Sequence, residues 1–393
     1  MLEQKHITII KSLIPLLEQT GAALTDHFYN RMFKHNPELK HVFNMSHQAS
    51  GTQKAALFEA IAAYAKNIES VEILQSAVER IAQKHTSFNV QPEMYDIVGH
   101  HLTETLRELT GELFTAEVEE AWTCAYQFLA SIFIKREGDL YQQRVSTKGG
   151  WQGTRQFTVK AKINESELVT SFVFEPADGQ PVIDFNVGQY LGVEVNPVDH
   201  PYTEIRQYSL SDKPNGKTYR ISVKREAQGV PGVVSNYLHD QLNVGDSINL
   251  HAPAGDFFFT DKQTPIVLIS AGVGVTPMQA MLAKLAEDEY QHDVYYLHAC
   301  QNKAQHSFKQ ATLSLTEKHN WQTHTWYQEE VNSEAQTYQG KMNIADIALP
   351  FGNANFYLCG PVGFMQFAKT QLLEHGVANE RIHYEVFGPH AHF

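Results

Sequence analysis

Ile81-Ala82-Gln83-Lys84-His85-Thr86-Ser87-Phe88 is the stretch on which the reading of this chain turns. Leu74, Val78 and Ile81 step by four and three, and His85 follows four residues on, the spacing of one helix face. The periodicity predicts a helix over 71–85 with the imidazole on its buried stripe. A neutral imidazole in that place is either a hydrogen-bonded core group or a metal ligand. The octapeptide alone does not choose between them.

Residues 1–138 read almost wholly as helix. Leu13-Ile14-Pro15-Leu16-Leu17 opens a segment to Phe33, with Pro15 in a first turn, and Pro37 breaks the pattern. Further helices are expected over 52–66, with Leu57, Ile61 and Tyr64 on one face, from Pro92 to Leu109, and over 116–137 on the stripe Trp122, Tyr126, Leu129 and Phe133. The stretch 139–152 reads as a linker, ending in Lys148-Gly149-Gly150-Trp151-Gln152-Gly153. From 153 to 260 strand alternation takes over, as in Phe157, Val159, Ala161 and Ile163, and points to an antiparallel barrel. From 265 to 393 apolar strands alternate with helices. Ile266-Val267-Leu268-Ile269 has the solid apolar character of a parallel strand covered on both faces, so an open α/β sheet is expected. The polar stretch 302–345 carries no chemical signal.

A length of 393 residues asks for two or three domains. The net charge of −13 argues against non-specific binding to nucleic acid or to an anionic membrane surface. Cys124, Cys300 and Cys359 stand too far apart for a metal-ligand motif, and no Cys-x-x-Cys-His is present to attach a haem covalently. Met1 to Lys5 lack the basic and apolar regions of a secretion signal, and no uncharged apolar run approaches membrane-spanning length. A cytoplasmic monomer acting on small molecules is the expectation.

Gly272-Val273-Gly274-Val275-Thr276-Pro277 follows a buried strand and opens a helix, where backbone N–H groups and the helix dipole favour a pyrophosphate. Pro277 stands where the strict dinucleotide fingerprint has its third glycine. Arg206-Gln207-Tyr208-Ser209 combines a phosphate-pairing guanidinium, an aromatic ring and a hydroxyl on one strand, and Cys359-Gly360-Pro361 begins a second strand-to-helix turn. Each has a plain structural reading. In this order they resemble the ferredoxin-reductase family of FAD- and NAD(P)H-binding modules. The resemblance implies that Arg206 holds the FAD pyrophosphate, that Tyr190, Gln207, Tyr208 and Ser209 line the flavin, and that Gly232, Val234 and Ser235 add phosphate-binding N–H groups. It places Phe387, within Glu385-Val386-Phe387-Gly388-Pro389, over the flavin ring. Residues 272–277 with Cys359 and Gly360 would take NADH or NADPH. Ala299-Cys300-Gln301-Asn302 shows no adjacent Arg and Lys303 keeps NADPH open.

With a reductase in the chain, the helical part takes on a redox meaning. Phe33-x-x-x-Pro37-Glu38-Leu39, Phe43, Gln53 and Gln83-Lys84-His85-Thr86-Ser87-Phe88 resemble a globin, and the full order of globin, FAD barrel and NAD domain resembles the flavohaemoglobins, the bacterial and fungal nitric oxide dioxygenases. This implies one non-covalent haem b, with His85 as proximal iron ligand and Tyr95 with Glu137 as a charge-relay pair behind it. Tyr29 and Gln53 would be donors to O2, Phe43 and Leu57 pocket walls, and Lys84 and Glu385 aids to electron transfer. NAD(P)H would reduce FAD, FAD the haem, and ferrous haem with O2 would convert NO to nitrate. An NAD(P)H oxidase, a haem-dependent reductase, or an O2 carrier or sensor with its own reductase uses the same parts and stays open at this level.

Overall fold

α1 (Gln4–His35) starts well before Leu13, and Pro15 lies inside it instead of in its first turn. Proline forfeits one intrahelical bond. The apolar face nonetheless continues past it, with Ile10, Leu17, Leu24 and Phe28 all buried. The chain bends at Gly21, whose φ of 44° suits glycine. The computed structural model describes residues 2–43, 45, 52–198, 200–227, 230–329 and 334–388, with the side chains of 22, 52 and 53 left aside. By its contacts the chain divides into two units: 1–147 with 151–153 and 194–206, and the remainder.

The helical unit continues with α2 (Thr52–Lys66), α3 (Gln75–Thr86), α4 (Pro92–Thr110) and α5 (Ala116–Ser146). Pro92 takes the first helical position, where its missing N–H costs nothing. Thr115 caps α5, its hydroxyl accepting from Val118 N at 3.3 Å. α5 runs through Ser146, across much of 139–152, because Leu140, Tyr141 and Arg144 prolong the buried face of Trp122, Phe133 and Glu137.

Two apolar clusters form this unit's interior. One holds Phe28, Tyr29, Met32, Phe33, Ile61 and Tyr64, with Phe43 and Leu57 packed against it. The other holds Ala82, Tyr95, Ala130, Phe133 and Leu140, with Val78 and Ile81 against it. The stripe Leu74, Val78, Ile81 and His85 is half-buried, where the periodicity predicts full burial. The fully buried positions of α3 are Ala82, Gln83 and Thr86, one step round the helix. Small and hydrogen-bonded side chains are what let α5 approach α3 closely.

The second architecture is a six-stranded sheet among the described residues: β1 (Thr154–Asn164), β2 (Val169–Pro176), β3 (Tyr190–Val195), β4 (Glu204–Ser209), β5 (Tyr219–Lys224) and β6 (Ser247–His251), with α6 (Val233–Asp240) between the last two. Its order is β4-β3-β6-β1-β2-β5, and β1 pairs antiparallel with both β2 and β6. A bridge from Leu210 to Ile221 joins the two end strands, which closes the barrel.

The third is a parallel sheet flanked by helices: β7 (Ile266–Ala271), α7 (Val275–Glu287), β8 (Val294–Cys300), α8 (Lys309–Lys318), β9 (Gln322–Tyr327), β10 (Thr337–Gln339), β11 (Asn355–Cys359), α9 (Val362–Glu374) and β12 (Ile382–Glu385). Its order is β10-β9-β8-β7-β11-β12. The chain builds outward from β7 in one direction and then returns to place β11 on its other side. Such a reversal leaves a crevice outside the carboxyl ends of the two central strands. The stretch 302–345, polar in sequence, supplies α8, β9 and β10 to this layer. The expected fold class, helical domain, antiparallel barrel and open parallel sheet, is the one observed.

Candidate functional site

His85 sits in the last turn of α3 with 34 % of its side chain exposed. Its Nδ1 lies 2.8 Å from Glu137 Oε1 and 2.9 Å from the Tyr95 hydroxyl, and that hydroxyl donates to the same carboxylate oxygen at 2.5 Å. A carboxylate only accepts, so Nδ1 carries the proton and Nε2 keeps its lone pair. Among the described residues Nε2 has no hydrogen-bond partner. Glu137 is 3 % exposed, far from the solvated helix end that its place after Phe133 also allows. Burial first, and then the Glu137 charge, hold the Tyr95 hydroxyl well above the ordinary tyrosine range, so it remains a neutral donor.

Neighbouring side chains fix this triangle. The Tyr126 hydroxyl donates to the Tyr95 carbonyl at 2.6 Å, and Tyr141 donates to the Val90 carbonyl at 2.9 Å. The Phe133 ring lies 5.9 Å from the imidazole and stacks on Tyr95 at 6.3 Å. Beneath it, Gln83 donates to Glu79 at 2.9 Å and accepts from Arg144 at 3.0 Å, and Glu79 pairs with Arg136. Sequence reasoning misses Gln83, Tyr126 and Arg144 as supports. Tyr126 reads as one more apolar stripe residue, and periodicity carries no mark for a buried amide or guanidinium.

Among the described residues no three His, Cys, Asp or Glu side chains converge on one point. A lone Nε2 therefore fits a metal only if a macrocycle supplies the other donors. The rest of the unit suits such a planar group. Tyr29 is buried in the other apolar cluster, stacked on Phe33 at 5.8 Å with its ring edge-on to Phe43 at 5.9 Å, and Leu57 packs there too. Lys84 is half-buried beside His85. Gln53 lies outside the described side chains.

Arg206, Gln207 and Tyr208 are half-buried along β4 and Ser209 is buried. Arg206 Nη1 donates to the Ile205 carbonyl at 2.8 Å and pairs with Glu204 at 2.6 Å. That leaves the other edge of the guanidinium fork for a bidentate acceptor. Tyr190 is buried against Gly255, where an added Cβ would come within 2.9 Å of its ring. Gly232 precedes α6, and Val234 and Ser235 lie in its first turn, where N–H groups have no partner within the helix; the Gly232 N–H, expected free, is instead spent on the Glu226 carbonyl at 2.9 Å. The Ser235 hydroxyl itself bonds the Gly232 carbonyl at 3.2 Å.

The two turns picked out after β7 and β11 abut at the crevice. A Cβ on Gly274 would fall 2.6 Å from Gly360 N and closer still to the Cys359 carbonyl, so only glycine fits. Gly272 is exposed and Val273 half-buried; Gly274, Val275, Thr276, Pro277, Cys359 and Gly360 are buried. The Thr276 hydroxyl donates to the Val273 carbonyl at 3.0 Å and holds the turn. The Cys359 thiol is pushed up by burial and by Glu385, its neighbour across β11 and β12. Past Glu385, Val386 is buried and Phe387 is 46 % exposed. Gly388 is half-buried, and Pro389 lies outside the described residues.

Three family models match in the order of the architecture: Globin over residues 26–133, an oxidoreductase FAD-binding domain over 156–259 and an oxidoreductase NAD-binding domain over 268–370. The flavohemoprotein of Vibrio cholerae serotype O1 is 59 % identical over 393 residues, covering 100 % of this chain and 99 % of that one. The crystal structure of a flavohemoglobin from Malassezia yamatoensis with bound FAD and heme is 28 % identical, with a TM-score of 0.87 over 98 % of this chain and 100 % of that one. The FAD/NAD-binding domain of nitric oxide dioxygenase from Vibrio cholerae O1 biovar El Tor is 53 % identical, with a TM-score of 0.58 over 60 % of this chain and 99 % of that one. An imidazole with a carboxylate and a tyrosine behind it, in a chain that also carries both halves of a reductase, is thus matched along its whole length: this chain belongs to the flavohaemoglobin family.

Proposed function

We propose that this protein is a nitric oxide dioxygenase that carries its own reductase. The observation that bears most weight is the triangle of His85, Tyr95 and Glu137, which directs an unshared Nε2 away from a buried anion. Full-length similarity to a flavohemoprotein, and of the reductase part to a nitric oxide dioxygenase, supports the same reading.

Bound haem would supply the iron at which O2 is activated, and bound FAD would turn a two-electron hydride into single electrons. The residues do the rest. Glu137 and Tyr95 hold the imidazole in one tautomer and make it a stronger electron donor. Tyr29 and Gln53 would be the donors to O2, while Phe43 and Leu57 would keep water from the pocket. Arg206 would pair with a pyrophosphate, Tyr190, Gln207, Tyr208 and Ser209 would seat the flavin, and the N–H groups of Val234 and Ser235 would take its phosphates. Residues 272–277 with Cys359 and Gly360 place NADH or NADPH at the crevice. Phe387 would cover the flavin ring, and Lys84 and Glu385 would aid electron transfer between flavin and haem. No single helix among the described residues is long and apolar enough to cross a membrane. We place the protein in the cytoplasm as a monomer whose partners are NAD(P)H, O2 and NO.

The test is His85→Ala in the full chain. It is expected to lose the Soret band and NAD(P)H-driven NO consumption while keeping flavin absorbance and NAD(P)H-to-ferricyanide activity. An intact Soret band and undiminished NO consumption would remove His85 from its role.

A further inference from the structure

We propose that a cavity beside Glu137 is a binding site for a small organic cation, an amidinium or primary ammonium on a compact apolar body. The cavity encloses about 530 Å³, and Val90, Pro92, Ile134 and Tyr141 give it apolar walls. That volume lies in the range of small-molecule sites, roughly 300–1,000 Å³.

Glu137 lines this cavity and supplies its charge. Both protein donors, His85 Nδ1 and the Tyr95 hydroxyl, bond Oε1. Oε2 takes no hydrogen bond from any described residue, although the side chain is 3 % exposed. A cationic donor that enters the cavity and reaches this carboxylate gains a charge-assisted hydrogen bond. Gln91, also on the wall, spends its amide nitrogen on Asn89, at 3.1 Å to the carbonyl and 2.9 Å to Oδ1. Its carbonyl oxygen is the end left for a ligand. Among the described residues no Lys, Arg or His lines the cavity. With Gln142, Ser146 and Gln152 also on its wall, the space offers neutral polar groups, one carboxylate and apolar surface, and its complement is a cation with an apolar body.

Such a ligand shares a carboxylate with His85. Occupancy would draw charge from the Nδ1–H bond and weaken the donation that favours oxidised iron. This consequence rests on the proximal reading of His85; the site itself does not.

Benzamidine is titrated by calorimetry into the full-length protein loaded with haem and FAD, with neutral benzamide as its twin. One-to-one binding is expected, about tenfold or more weaker for benzamide and for Glu137→Gln, as loss of a charged hydrogen bond implies. Gly138 lines the cavity from α5, and an added Cβ there meets nothing within 4 Å. Gly138→Leu is therefore expected to abolish binding with the Soret band unchanged. Absent binding at millimolar benzamidine, equal binding of the two compounds, or undiminished binding to Gly138→Leu overturns the proposal. A rise in the haem midpoint potential at saturating benzamidine supports the link to His85. An unchanged potential with binding intact overturns that link alone.

Discussion

One oxygen of Glu137 accepts from both His85 and Tyr95, so the carboxylate cannot be altered without disturbing the imidazole. Glu137→Gln keeps the shape and removes the charge. It is expected to retain haem, measured as the pyridine complex, and to slow stopped-flow haem reduction about 10- to 100-fold, the usual cost of removing a partner of a metal ligand. Wild-type reduction rates would end the relay role. Tyr29→Phe removes one neutral hydrogen bond near the other apolar cluster and is expected to speed O2 dissociation by up to about tenfold. An unchanged off-rate would rule Tyr29 out as a donor. At this scale the sequence shows His85 by periodicity, and Tyr95 and Glu137 by resemblance. It does not show that Gln83 and Arg144 bond each other in the interior, because a buried polar pair looks like two surface residues until the partner helix is placed.

The turns at the ends of β7 and β11 were readable as separate glycine motifs, but their contact was not, since 80-odd residues part them and only the strand order brings them together. Gly274→Ala drives a methyl into the Cys359 and Gly360 backbone. It is expected to raise the KM for NAD(P)H about tenfold or more, with a lowered melting temperature, as overpacking costs roughly 1–3 kcal/mol. Unchanged values of both would show that the turns are not in contact. Helix ends were less legible than helix faces. α5 outlasts its apolar stripe because Glu137 and Arg144 are buried with partners, and α1 ignores the proline that reads as its start. The neighbouring β8 also carries an acid-sensitive element. His298 is held well below the ordinary histidine range by burial, and His306, buried and near Lys309, is lowered to about 4. The folded state therefore refuses protons that the unfolded chain accepts below its ordinary histidine value. Stability is present above that value and falls as pH drops toward 4, by about 1.4 kcal/mol per pH unit for each imidazole. His306→Gln is expected to flatten the decline of melting temperature with acid; an identical slope would contradict the assignment.

The whole molecule is a conversion of two-electron into one-electron chemistry within one chain. Its three-part order was legible because the change from helical to alternating to solid apolar periodicity follows the change in what each layer buries. The polar stretch 302–345 hid α8, β9 and β10, since the outer part of such a sheet and the helix beside it need less apolar sequence than the centre. Turning NO and O2 into nitrate consumes one electron, and a hydride delivers a pair. The most direct measurement is therefore anaerobic reduction of the haem- and FAD-loaded chain by NAD(P)H, followed by O2 and NO with nitrate counted against NAD(P)H consumed. About two nitrate per NAD(P)H are expected, with little peroxide. NAD(P)H consumption that yields peroxide or superoxide, with NO left unconsumed, would contradict it and make the protein an oxidase.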